Sequence, residues 1–158
     1  MMTYTVLFAL AIIGAVPGTI RAQAVLKSAS EIPSTQSADI RVRLLNSNNG
    51  KPMSGQTIWI YLGWDHATHA PAQRTDEDGV TVFHLQPPVP KWINAVAGSQ
   101  TIWHCAEIEK NNFATSDVLE HGIVALNKCD PKGKRTGKIV AKPGEVILFA
   151  RPLRFWEQ

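Results

Sequence analysis

Charge is scarce in this chain. Of its 158 residues only 18% are Asp, Glu, Lys or Arg, against 44% apolar, and the formal net charge is +3. Disorder needs low hydrophobicity and high net charge, and neither is found. So small a positive balance does not imply a nucleic-acid partner. There is no heptad-scale charge pattern, which argues against a coiled coil, and no internal repeat. No apolar run reaches the roughly 20 residues of a transmembrane helix. Catalytic signatures are missing as well: no Gly-rich phosphate loop, no Gly-x-Ser-x-Gly elbow and no His-Glu-x-x-His pair. What remains, at this length, is a single compact domain able to bury a sizeable core.

The longest apolar stretch lies near the start. Residues 5–16 are nearly continuous apolar, Pro17-Gly18 breaks them, and the small residues Ala22 and Ala24 follow. That order describes a secretory signal peptide over residues 1–24, cleaved after Ala22 or Ala24. No Lys or Arg precedes the run, so the N-terminal amine alone supplies positive charge, and a buried N-terminal helix is the competing reading. No Cys sits near residue 24, so a lipid anchor is not indicated. The mature chain is then expected to be secreted or periplasmic. Residues 25–37 are Ser-rich and contain Pro33, the composition of a flexible linker, which leaves residues 38–158 as one domain.

Within that domain the apolar period is mostly two. Ile40, Val42 and Leu44 alternate with Arg41 and Arg43, the pattern of a half-buried strand over 38–46. Residues 56–63 are β-branched and aromatic on both faces, which marks a central strand. A loop over 64–74 precedes the turn Asp76-Glu77-Asp78-Gly79 and a strand over 80–85, which Pro87-Pro88 ends. Strands are expected at 92–97 and 101–106 with Gly98-Ser99 as a tight turn between them, then at 123–126, 138–141 and 145–150. One short helix is expected to start on a Ser116 or Asp117 cap and to end at His121 with Gly122 beyond it. Short strands, frequent turns and almost no helix predict an all-β antiparallel sandwich.

Residues 40–85 carry a further pattern: a strand, Gly50-Lys51-Pro52, an apolar strand around Ile58–Leu62, then Thr75-Asp76-Glu77-Asp78-Gly79 and a strand holding Phe83. This resembles the carboxypeptidase regulatory-like, or transthyretin-like (prealbumin-like), β-sandwich domains of exported bacterial proteins. The tail from Pro143 to Glu157 is similar to that of small exported proteins of soil bacteria. The resemblance implies an immunoglobulin-like fold with a binding, spacing or stabilising role, and it brings no catalytic residues and no cofactor. The stretch from Cys105 to Cys129, which holds the short helix, looks like an insertion relative to a minimal domain of this kind.

Five groups of residues carry candidate chemistry. Cys105 and Cys129 are the only cysteines, so export would pair them, closing a loop whose cross-link is worth about 3 kcal/mol in the chain-entropy model. His66 and His69, three residues apart beside Asp65, are candidate metal ligands, with a third from His84, His104 or His121. The bland reading is that both face solvent. The acids of residues 76–78 lack the order of a calcium loop and read as a turn. Lys128, Lys132, Lys134, Arg135, Lys138 and Lys142 stand against one acid, Asp130: a solvated loop, or a dock for an anionic envelope polymer or lipid surface. Finally Trp59, Trp64, Trp92, Trp103 and Trp156 invite a sugar-stacking surface, with Trp64 the best placed.

These readings favour an exported, non-catalytic protein that binds or scaffolds in the cell envelope, its partner an envelope protein or polymer. A small metal-dependent hydrolase built on the His66/His69 loop and a carbohydrate-binding module are the alternatives. The apolar tail residues Leu153, Phe155 and Trp156 are expected to fold back onto the sandwich, because exposed they would be an aggregation liability.

Overall fold

Alternating burial decides the layout. In β1 (Ala38–Asn46) Ile40, Val42 and Leu44 are fully buried, while Asp39 and Arg41 face water. β2 (Thr57–Leu62) buries Ile58 and Ile60, β5 (Val80–Leu85) buries Thr81, Phe83 and Leu85, and β6 (Trp92–Gly98) buries Ile93, Ala95 and Ala97. Burying each of the larger of these side chains stabilises by about 1.5–3 kcal/mol, which is what holds two apolar faces together. The computed structural model describes residues 36–64, 67–106 and 111–157. The expected signal peptide, nearly all of the linker and the candidate ligand His66 lie outside the described residues.

The strands form two packed sheets. One has the order β5–β1–β10–β7, with β7 spanning Ile102–His104 and β10 spanning Glu145–Pro152; β9 (Ile123–Val124) adds to β10. The other has the order β3–β2–β6–β8, with β3 at Thr68–His69 and β8 at Asn112–Ala114; β4 (Gln73–Arg74) adds to β2. Their inner faces share one apolar core that includes Val42, Leu44, Ile60, Phe83, Ile93 and Leu148. An all-β sandwich is what the alternation predicted.

Several local expectations need correction. The sandwich is not purely antiparallel: β1 and β10 pair in parallel, Arg41 opposite Glu145 through Asn46 opposite Ala150, and β9 also pairs in parallel with β10. Strand direction is a long-range property that local alternation does not encode. The chain between β6 and β7 crosses from one sheet to the other instead of closing a hairpin. The expected loop over 64–74 contributes β3 and β4, both short and both paired with β2. Helix α1 begins at Thr115 after Ala114, with no side-chain cap from Ser116 or Asp117. Thr115 is instead tied back to the preceding turn, its hydroxyl donating to Pro90 O (2.6 Å) and its N–H to Lys91 O (3.0 Å).

Residues 138–141 are not a strand. Their period of two arises because Ile139 and Ala141 pack down on the outer face of the first sheet while Val140 faces water. Of the tail residues expected to fold back, Leu153 is half-buried, with its N–H donating to Thr101 O (2.9 Å), but Phe155 is 91% and Trp156 76% exposed, on a 3-10 turn over Phe155–Glu157. The Arg151–Glu157 ion pair fixes that turn without burying the rings.

Two glycines hold turns that a side chain would block. Gly122 ends α1 at φ 73°, and a Cβ there would lie 2.1 Å from Lys142 O. Gly79 sits at φ 70° after Asp76, whose Oδ1 accepts the N–H groups of Asp78 (3.0 Å) and Val80 (2.8 Å). The acids of residues 76–78 therefore build a turn, and a Cβ on Gly79 would meet Leu44 O at 2.7 Å and Met53 N at 2.9 Å. Gly79→Val should lower stability by more than about 1 kcal/mol in denaturant unfolding; an unchanged midpoint would contradict this packing.

Candidate functional site

The outer face of the first sheet carries an apolar patch along β10. On β10 the inward residues Val146, Leu148 and Ala150 and the outward residues Ile147 and Phe149 are all buried. The outward pair forms a second cluster with Leu45 and Cys105, and Cys129, Ile139 and Ala141 pack over it. The segment 125–142 thus lies across the sheet as a strap. Its entry is fixed by Ala125 N–H donating to Ile147 O (2.9 Å) and Lys128 N–H donating to Cys105 O (2.7 Å). The Cys105–Cys129 disulfide is formed, with Cα atoms 5.4 Å apart, and it clips the strap to the end of β7.

Past the disulfide, one carboxylate organises the loop. Asp130 is 8% exposed. Its Oδ2 accepts the N–H groups of Arg135 (2.8 Å) and Thr136 (3.1 Å) and the Thr136 hydroxyl (3.2 Å), and its Oδ1 accepts the Lys134 N–H (3.1 Å). Burial opposes ionisation of this group, but the donors of Arg135, Thr136 and Lys134 outweigh it and hold its pKa below the ordinary aspartate value. The only acid of the 127–142 stretch therefore points inward. Lys128, Lys132, Lys134, Arg135 and Lys138 are all exposed, and Arg135 Nη1 donates to Asn48 Oδ1 (3.1 Å) in the turn after β1.

The strap is flanked by two hollows. A cavity of about 520 Å³ lies between the strap and β1, lined by Arg41, Arg43, Asn49, Asp78, Thr136 and Ile139. A second, of about 390 Å³, lies on the β9 side against Leu126, Asn127, Pro131, Lys138, Ile139 and Phe149. Beneath the strap Arg43 Nη2 donates to Glu145 Oε1, and Glu145 Oε2 accepts the Lys142 N–H (3.0 Å). Glu145 is 1% exposed and Arg43 half-buried, so the buried carboxylate is anchored by a guanidinium that reaches in from the surface. Breaking one side of such a pair leaves a charge in a medium that solvates it poorly.

The described histidines do not share a site. His69 lies on the edge strand β3, exposed, with its Nδ1–H donating to Ala70 O (3.0 Å). His84 on β5 pairs with Asp39 (2.7 Å), both at the surface, and His121 ends α1. His104 on β7 is half-buried, its Nε2 3.1 Å from Asn111 Nδ2, and burial lowers its pKa and keeps it neutral. Among the described residues no three His, Cys, Asp or Glu side chains gather as a metal site.

The tryptophans are dispersed too. Trp64 is exposed and stands edge-on to Trp92, ring centroids 5.3 Å apart. Trp59 lies against Gly98. Trp103 is exposed beneath the Arg151 guanidinium (5.6 Å), and Trp156 beside that of Arg154 (5.5 Å). Comparison with protein-family models, with curated proteins and with solved structures finds no match.

Two elements of the site escaped the sequence reading: the inward carboxylate of Asp130 and the pairing of Arg43 with the buried Glu145. The signal for the first is an acid followed within six residues by Gly133 and Thr136, a spacing that permits a turn around it.

Because its folded pKa is depressed, the Asp130 anchor contributes fully above the ordinary value of 3.8 and is lost as pH falls through the folded value. At neutral pH, Asp130→Asn should free the loop and speed trypsin cleavage after Lys132, Lys134 and Arg135. Cleavage at the wild-type rate would show that the carboxylate does not hold the loop.

Proposed function

We propose that this chain is an exported, non-catalytic β-sandwich that binds an anionic surface or polymer of the cell envelope through the basic loop over the strap. The observation that carries this reading is the division of charge in that loop. Its one acid is consumed internally, and Lys132, Lys134 and Lys138 face solvent on a segment tied down by a disulfide. A fixed array of like charges attracts a polyanion over about one Debye length and loses little entropy on binding. The disulfide supports an oxidising destination, and among the described residues no helix is long and apolar enough to cross a membrane.

We read the fold as immunoglobulin-like, of the carboxypeptidase regulatory-like or transthyretin-like kind. The support is the strand–turn order over residues 40–85: Gly50 N–H donates to Asn46 O (2.7 Å) in the turn after β1, and Asp76 builds the turn before β5. A carbohydrate-binding role is the second reading, favoured by the exposed Trp64 edge-on to Trp92. For a metal-dependent hydrolase the scatter of His69, His84, His104 and His121 gives no support.

The test is titration with inorganic polyphosphate at low and high salt. Affinity should fall steeply with salt. The triple variant Lys132→Ser, Lys134→Ser, Lys138→Ser should bind about tenfold more weakly or worse, with stability changed by no more than about 0.5 kcal/mol. Salt-independent binding, or full affinity in the variant, would contradict the proposal.

A further inference from the structure

The C-terminal turn has a construction that packing does not explain. Phe155 and Trp156 stand in solvent at 91% and 76% exposure, yet the turn beneath them is held from three directions. Arg151 Nη1 and Nη2 donate to Glu157 Oε2 and Oε1, each at 2.7 Å, and Arg154 N–H donates to Glu157 Oε2 at 2.8 Å. The side-chain hydrogen bond from Arg151 is the main cause that depresses the Glu157 pKa to about 2, so the clamp persists throughout the neutral range. Arg151 also lies over Trp103, itself 52% exposed on the edge strand β7. Two large aromatics are thus presented on a rigid mount instead of on a loose terminus.

The mount stands at the same end of the sandwich as the basic loop. β1 and β10 run in parallel, so Asn46 lies opposite Ala150, and Ser47 N–H donates to Ala150 O (2.8 Å) at the root of the tail. Asn48, one residue further, holds Arg135 of the loop. Lys128 N–H donates to the carbonyl of Cys105, two residues beyond Trp103 on β7. The acidic turn Asp76–Asp78 is at this end as well: it precedes β5, at the sheet edge opposite β7, and Asp78 lines the cavity beside the strap together with Thr136.

We propose that this end docks on an anionic lipid bilayer, with Phe155 and Trp156 entering the headgroup–acyl boundary while Arg154 and the loop lysines meet the lipid phosphates. The inference rests on the basic-surface reading above and narrows it to lipid. Small-molecule sites are concave, whereas rings this exposed protrude, and a bilayer is the partner that closes around a protrusion. Phe has no polar edge to direct a sugar hydroxyl, while an exposed aromatic pair beside Arg154, at the end that carries the loop lysines, is the make-up of an interfacial anchor. Anionic headgroups add attraction for each basic side chain near the surface.

The test uses the full chain with vesicles of phosphatidylglycerol and phosphatidylcholine carrying brominated acyl chains. The readout is the fluorescence lost from Trp156, taken as the difference between wild type and Trp156→Phe, so that binding by any other segment does not register. Quenching specific to Trp156 is expected. The pair Phe155→Ala, Trp156→Ala should weaken vesicle binding by about tenfold or more, the order expected for losing two inserted aromatics. Its affinity for soluble polyphosphate should match wild type. No Trp156-specific quenching, with polyphosphate binding intact, would overturn the lipid inference and leave a polymer as the partner of the loop. Loss of binding to both probes by the wild-type chain would overturn the basic-surface reading as well.

Discussion

Strand β10 is buried on both sides, and the rest of the molecule is arranged around that constraint. Its inner residues Val146, Leu148 and Ala150 complete the core between the sheets. Its outer residues Ile147 and Phe149 are equally apolar, and water would reach them on a bare sheet face. Covering them requires a second layer, and the chain supplies one with a strap that contains almost no regular structure. Such a strap has few backbone hydrogen bonds of its own. It depends on Cys105–Cys129, on the ladder-like contact of Ala125 with Ile147, and on the Arg43–Glu145 pair with its Lys142 bond.

The same arrangement sorts the charges. A covering segment must send its apolar side chains down, and Ile139 and Ala141 do so. Its charged residues then face solvent, except for Asp130, which is spent on the backbone of the next turn. The result is a cationic outer surface whose position is set by an apolar inner one. At the adjoining end the carboxylate of Glu157 is likewise spent on Arg151, which leaves Arg154 and two aromatic rings on display. In both places an acid that could have neutralised the surface is used to build it.

Much of this was legible from residue order. The alternation over 38–46 and 80–85 marked strands because one face of each meets the core. The cysteine pairing followed from there being a single pair. Other features were not legible, for physical reasons. Period two over 138–141 looked like a ladder strand, but packing onto a face produces the same pattern as pairing at an edge. The parallel register of β1 with β10 joins residues about a hundred apart and leaves no local trace. Phe155 and Trp156 were expected to be buried on hydrophobicity alone, and that argument took no account of Arg151 as a clamp for Glu157. His69 and the other described histidines fall on separate elements, which spacing within one loop could not reveal.

The central claim is that the disulfide holds a covering layer over an apolar sheet face without being needed for the sandwich itself. Hydrogen–deuterium exchange of the protein, oxidised and after reduction, tests it most directly. The account predicts that reduction exposes the amides of Ala125, Lys128 and residues 133–137, and of Ile147 and Phe149 beneath them. The amides of β2, β6 and the β1–β5 ladder should stay protected. Unchanged protection across the strap, or loss of protection through both sheets at once, would contradict it.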